Sequence, residues 1–247
     1  MLTTGLVLAA VVMGAGMQRI TGMGFALVAA PFLVLLLGPV EGVVLVNLCG
    51  AVTAGAIIFR VVRDIDWRRY AALAASALLG IIPAAFLIRL IPPAVLEISI
   101  GVFLAVGLTV LLALKSAKLP ARRRYLWTAG GLSGFMNTAA GVGGPAVSMY
   151  SIATGWNHRS FAATMQPYFL TIGTFSLAAK AITAPASFPV LPWTMWLAVA
   201  FACLAGLVLG DIAAKFVPAR TAQILLIVLA YLGAVATIVR GVLNALT

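Results

Sequence analysis

Twice in this chain a long apolar run is interrupted in the same way, by a side-chain amide and then, four residues on, a Gly-x-Gly. The two copies are Gln18-Arg19-Ile20-Thr21-Gly22-Met23-Gly24 and Asn137-Thr138-Ala139-Ala140-Gly141-Val142-Gly143-Gly144-Pro145. The runs around them are too long for the core helices of a water-soluble domain and suit spans of about 20 residues. Backbone that leaves a helix at membrane depth strands N–H and C=O groups, and it persists only where protein or a water-filled cavity supplies partners. Two such interruptions at matching places in two halves point to a transporter's binding site.

Composition narrows the class. The chain is 64% hydrophobic and 9% charged, against about 25% charged in soluble domains. No alternating pattern of the kind a β-barrel needs is present, so the fold expected is all-α, a polytopic helical membrane protein. The start Met1-Leu2-Thr3-Thr4 lacks the basic region of a signal peptide, and the first run is expected to stay as a span. Net charge is +11, but its placement argues against nucleic acid. Arg60, Arg63, Arg68 and Arg69 share one linker and Lys115, Lys118, Arg122, Arg123 and Arg124 another, so nine of sixteen cations sit in two short loops. That is the positive-inside signature of cytoplasmic connections. Cys49 and Cys203 lie far apart within apolar runs, and with a single histidine, His158, no metal-ligand spacing exists. Neither a metal nor a cofactor is expected.

In chain order, a span from Leu2 followed by a shorter arm hinged at Gly22 and Gly24 accounts for the stretch up to Gly38-Pro39. Spans are expected over 40–59, 70–90 and 94–114, then a basic linker over 115–124. The second half reads as 125–136, the break 137–145, an arm to Ala153, and spans over 161–182, 193–216 and 221–243. A shift of 119 places superposes Gln18 on Asn137, Gly22 on Gly141, Gly24 on Gly143 and Asn47 on Gln166, and a shift of 126 aligns Trp67 with Trp193, Gly80 with Gly206 and Pro92 with Pro218. The chain therefore reads as two pseudo-symmetric repeats, 1–114 and 125–247. The loop before Trp193 has no charge, unlike its basic counterpart before Trp67, which favours inverted repeats with five crossings each if the arms are counted.

The polar groups at depth form the candidate substrate site: Gln18, Arg19, Thr21, Gly22, Gly24, Asn47, Asn137, Thr138, Gly141, Gly143, Gly144 and Gln166. Helices restarting at the glycines would aim free N–H groups and the positive end of the helix dipole at an anion. Arg19 has no acidic neighbour in sequence, and its planar fork suits an oxyanion. Tyr168 and Thr171 are candidates to line the path. For the rest the simpler roles serve: Asp211 pairs with Lys215 one turn on, Asp64 and Asp66 with neighbouring arginines, Glu41 and Glu97 cap helix starts, Lys180 anchors at an interface, and His158 lies in a surface turn. Lacking paired carboxylates or a metal set in the spans, the chain does not read as an enzyme.

At Gly22-Met23-Gly24-Phe25 with Pro31, at Gly141-Val142-Gly143-Gly144-Pro145, and in its basic central linker, the sequence resembles the TauE/SafE family of sulfite and organosulfonate exporters. That resemblance implies a duplicated four-span unit and a multi-pass plasma (inner) membrane carrier of a small sulfur oxyanion: sulfite, thiosulfate, or a C2 sulfonate such as sulfoacetate. It further implies a secondary carrier driven by an ion gradient. An anion channel or a carboxylate transporter of the same architecture is the alternative. Partners expected are the anion and membrane lipid, with a homodimer also open.

Overall fold

The computed structural model describes residues 2–22, 24–113, 120 and 122–246. Met23 of the first motif and residues 115–119 and 121 of the expected linker lie outside them.

Ten α-helices and two short 3-10 turns, Val62–Asp64 and Pro185–Ser187, account for most of the described residues, with no strand among them. The helices are α1 (Leu2–Thr21), α2 (Gly24–Leu37), α3 (Pro39–Val61), α4 (Trp67–Ile88), α5 (Pro93–Ala113), α6 (Arg123–Ala140), α7 (Gly144–Thr154), α8 (His158–Thr183), α9 (Trp193–Ala213) and α10 (Ala219–Leu246). Six are long and apolar enough to cross a membrane. Their outward faces are apolar too, with Phe59, Phe201, Leu232 and Val235 exposed, as a surface in contact with lipid requires. The short arms expected after each break are α2 and α7, of 14 and 11 residues.

Both breaks are present, and glycine makes each. Gly22 has φ +83° and Gly141 φ +74°, a left-handed conformation that side chains with a Cβ rarely adopt. At the second break the Gly141 N–H donates to the Asn137 carbonyl and the Val142 N–H to that of Met136, which satisfies the end of α6 and turns the chain toward α7.

Small residues let the helices close on one another. Gly206 of α9 faces Val12 and Ala15 of α1, and Gly210 faces Gly16 and Arg19, so α1 and α9 run parallel. Gly130 and Gly134 of α6 lie against Leu73, Ser76 and Ala77 of α4, so that pair is parallel as well. Gly101 faces Ala234 and Ile238, while Gly241 faces Ala94 and Ile98, which makes α5 and α10 antiparallel. One end of the bundle collects the ion pairs Asp211 with Arg19 and Arg60, Asp64 with Arg159, and Asp66 with Arg69; we call it the basic end. At the opposite, far end Thr183 of α8 hydrogen-bonds the Ala85 carbonyl of α4.

Several expectations need correction. Asp211 pairs with Arg19 and Arg60 from other helices, not with Lys215, because the α1–α9 seam carries Arg19 to it. Glu97 lies one residue past the first turn of α5 and is buried, with Arg240 and Asn244 of α10 as partners. Asp64 reaches Arg159 of α8 and not an arginine of its own loop, whereas Asp66 does pair with its neighbour Arg69 and also caps α4 by accepting from the Arg69 N–H. Lys180 is buried at 2% exposure, so it is no surface anchor. Trp156 leaves the turn before α8 for a buried cluster with Tyr150 and Phe161, under the Arg69 guanidinium. Cys49 and Cys203, distant in sequence, meet between α3 and α9 as buried free thiols.

A Cβ on Gly206 would stand 2.6 Å from the Val12 carbonyl oxygen, and one on Gly80 would sit well inside contact distance of the Gly131 carbonyl. Backbone on a partner helix cannot swing aside as a side chain can. Gly206→Ala and Gly80→Ala should therefore each destabilise the protein by about 1–3 kcal/mol, read as a lowered Tm in detergent. Gly5→Ala, where nothing lies within 4 Å, should leave Tm unchanged or slightly raised.

Candidate substrate site

The inner faces of α1, α3, α6 and α8 bring four amides together as two bridges. Asn137 donates through Nδ2 to Asn47 Oδ1 at 2.6 Å, and Asn47 Nδ2 donates to the Val43 carbonyl at 3.0 Å and the Asn137 carbonyl at 3.3 Å. Gln18 donates through Nε2 to Gln166 Oε1 at 3.4 Å, and Gln166 Nε2 donates to the carbonyls of Ala162 and Gly22, both at 3.0 Å. Adding 119 to Gln18 gives Asn137 and to Asn47 gives Gln166, so the two bridges are counterparts residue for residue. Even the bond from the α3 or α8 amide to the carbonyl four residues back recurs, Asn47 to Val43 and Gln166 to Ala162.

Hydroxyls brace both bridges. Thr53 donates to Gln18 Oε1 at 2.8 Å, and Ser176 Oγ accepts from Asn137 Nδ2 at 3.2 Å. Thr138 shares a 2.7 Å bond with the same Ser176. A side-chain amide has two donor hydrogens, so Asn47, Asn137 and Gln166 use theirs within the protein. Gln18 alone keeps an Nε2 hydrogen outside the bonds described.

Asn47 and Thr53 stand six residues apart on α3, about 9 Å along its axis at 1.5 Å per residue. Between the bridges lies a cavity of about 30 Å³ lined by Gln18, Asn47 and Asn137, by Gly141 and Gly144 of the second break, and by the rings of Phe25 and Phe169. That is room for a water or two, less than a sulfite needs, so this conformation is closed around its centre. The first amides of α7 have no side-chain cap, which leaves the positive end of that helix turned to the cavity. A Cβ on Gly141 would meet Val46 Cγ1 at 3.0 Å, a second reason for glycine there.

Toward the basic end a larger space of about 320 Å³ is lined by Gln18, Arg19, Thr21 and Gly22, by Arg60, Asp64, His158 and Arg159, and by Gln166. Gln18 borders both spaces, so the Gln18–Gln166 bridge stands between this vestibule and the inner cavity. Three guanidinium groups there face two carboxylates, Asp64 and Asp211, which keeps the mouth net positive.

The sequence-derived set thus divides. Gln18, Asn47, Asn137, Gly141 and Gly144 line the cavity, and Arg19, Thr21, Gly22 and Gln166 line the vestibule. Gly24 begins α2, Gly143 precedes α7 with its carbonyl held by Ser133, and Thr138 is tied to the Gly134 carbonyl and Ser176. Arg19 is not the lone guanidinium its sequence context implied, since Asp211 answers it. Thr21 spends its hydroxyl on the Met17 carbonyl. Tyr168 is fully buried against α6, its hydroxyl toward the Gly130 carbonyl, and Thr171 bonds Tyr70; neither is among the residues that line the cavity or the vestibule. Sequence reasoning missed Thr53, Ser176, Phe25 and Phe169, and it gave Arg60 and Arg159 no part in the site. A helical spacing along α8 of Gln166, Phe169, Gly173, Ser176 could have found two of them.

Paired helix breaks, with buried amides beside a small cavity inside an apolar helical bundle, are the pattern of a polytopic membrane transporter. The family model described as Sulfite exporter TauE/SafE matches residues 6–237, and the chain belongs to that family, whose members are transporters rather than enzymes. No curated protein and no solved structure matches the chain.

Asn137→Ala removes the partner of Asn47 Oδ1 and of Ser176, and should cost about 1–3 kcal/mol for the buried groups it leaves unpaired. Asn47→Ala combined with Asn137→Ala should cost clearly less than the sum of the two single changes. Thermal unfolding of the three variants in detergent measures both.

Proposed function

We propose that the protein is a secondary carrier of a small sulfur oxyanion, sulfite, thiosulfate or a C2 sulfonate such as sulfoacetate, which binds between the two breaks and is exposed to each side in turn under an ion gradient. The observation that carries this reading is the pair of corresponding amide bridges on either side of one cavity, with a positive vestibule outside the first. Loops rich in arginine favour a cytoplasmic basic end. The vestibule would then gather anions from the cytoplasm, in keeping with a family of sulfite exporters.

Two halves, 1–114 and 125–247, inserted in opposite senses would account for the exchange. The reading is supported by the matched bridges, and by the Gly80–Gly131 approach and its counterpart Gly206–Val12, which the shifts of 126 and 119 relate. It is supported also by the parallel pairs α4 with α6 and α1 with α9. Opposed insertion makes opening of one bridge and closing of the other the same motion seen from two sides. A channel is the weaker reading, because a hydrogen-bonded bridge stands on each side of the cavity.

Flux of labelled sulfite, thiosulfate, sulfoacetate and a simple carboxylate into proteoliposomes tests the proposal. Saturable uptake of at least one sulfur anion is expected, falling by tenfold or more in Gly144→Val, whose side chain would fill the cavity. Collapse of the driving ion gradient should abolish accumulation while leaving exchange intact. Wild-type protein that moves none of these anions, or a folded Gly144→Val with unchanged flux, would contradict it.

A further inference from the structure

Lys180 lies three residues before the end of α8, at the far end of the bundle, and is 2% exposed. The chain has five carboxylate side chains. Four are held in ion pairs elsewhere, Asp64 by Arg159, Asp66 by Arg69, Glu97 by Arg240 and Asp211 by Arg19 and Arg60. The fifth, Glu41, forms no ion pair with Lys180. A buried ammonium without a carboxylate is costly at membrane depth and marks a pathway more often than a fold requirement.

Its direction along the helix is specific. Gln166, Phe169, Gly173, Ser176 and Lys180 follow one another at steps of three and four, and at 100° per residue they fall within an arc of about 80°. Three members of that stripe are already engaged at the site: Gln166 bridges to Gln18, Phe169 lines the cavity and Ser176 braces Asn137. Lys180 is one turn beyond Ser176, on the other side of the Asn47–Asn137 bridge from the vestibule. The shift of 119 sets it one residue beyond the counterpart of Arg60, the cation at the basic mouth.

We infer that Lys180 is the far-side anion-binding residue of the transport path, which takes up the oxyanion after the Asn47–Asn137 bridge parts, as Arg60 and its neighbours receive it on the basic side. The assignment rests on the carrier reading above. Its chemistry is that of a compact ammonium on a small oxyanion: no covalent step is involved, and the charge of the passenger replaces the carboxylate the site lacks.

The test uses Lys180→Cys in a Cys49→Ala/Cys203→Ala background, with sulfite as the probe in proteoliposomes. Flux should fall at least tenfold, and treatment with 2-aminoethyl methanethiosulfonate, which restores a cation on the same folded protein, should recover most of it. The uncharged methyl reagent should not. In parallel, Lys180→Met should raise the KM for sulfite added at the far face at least tenfold and change it less at the basic face, with Lys180→Arg staying within about threefold of wild type. Full flux in unmodified Lys180→Cys, failure of either reagent to reach the cysteine, or equal recovery with the uncharged one would overturn the assignment. Absence of sulfite flux in the background protein with Lys180 intact would instead count against the carrier reading itself.

Discussion

The structure depends on satisfying broken backbone in the interior of an apolar bundle. A helix that stops at membrane depth must find partners for its last carbonyls, and here two side-chain amides, Gln166 and Asn47, help to supply them. Gln166 closes on the Gly22 carbonyl at the first break, and Asn47 closes on the Asn137 carbonyl just before the second. The same groups then reach across to one another and tie α1 to α8 and α3 to α6. Breaks, bridges and cavity are therefore one arrangement: the bridge amides Gln18, Asn47 and Asn137 are the polar side chains of a cavity otherwise lined by apolar ones such as Phe25, Val46 and Phe169.

Glycine acts at two levels around it. At Gly22 and Gly141 it supplies a backbone conformation, and at Gly80, Gly130, Gly134, Gly206 and Gly210 it supplies closeness, so that helix backbones touch. In lipid no hydrophobic effect drives one apolar helix onto another, and close packing has to do that work. The seams that result join α1 to α9 and α4 to α6, leaving α3 and α8 at the centre with their polar faces inward. A motion that exposes one side of the cavity can then take place between groups of helices that are each tightly sewn.

Much of this was legible in the sequence for physical reasons. The breaks announced themselves because Gly-x-Gly interrupts runs otherwise fit to span, and Gln18, Asn47, Asn137 and Gln166 because amides at depth are rare. The same 119-place shift that aligned them in sequence relates their hydrogen bonds in space. What could not be read was partnership across helices. Arg19 looked unpaired since Asp211 is almost two hundred residues away, and Asp211 looked paired with Lys215 since only the local spacing was visible. Lys180 looked interfacial because nothing in its neighbours tells which side of α8 faces the protein. Thr53 carried no signal of its own, as hydroxyls in spans commonly bond their own helix, and Ser176 was marked only by sharing a helical face with Gln166.

The central claim is that the two amide bridges open in turn to pass one anion, and cross-linking addresses it most directly. In a background without Cys49 and Cys203, Gln18→Cys with Gln166→Cys, and separately Asn47→Cys with Asn137→Cys, can be joined by a short bifunctional methanethiosulfonate and released by reductant. The account predicts that either tether stops sulfite flux and that reduction restores it. Flux that continues with either pair joined would contradict it.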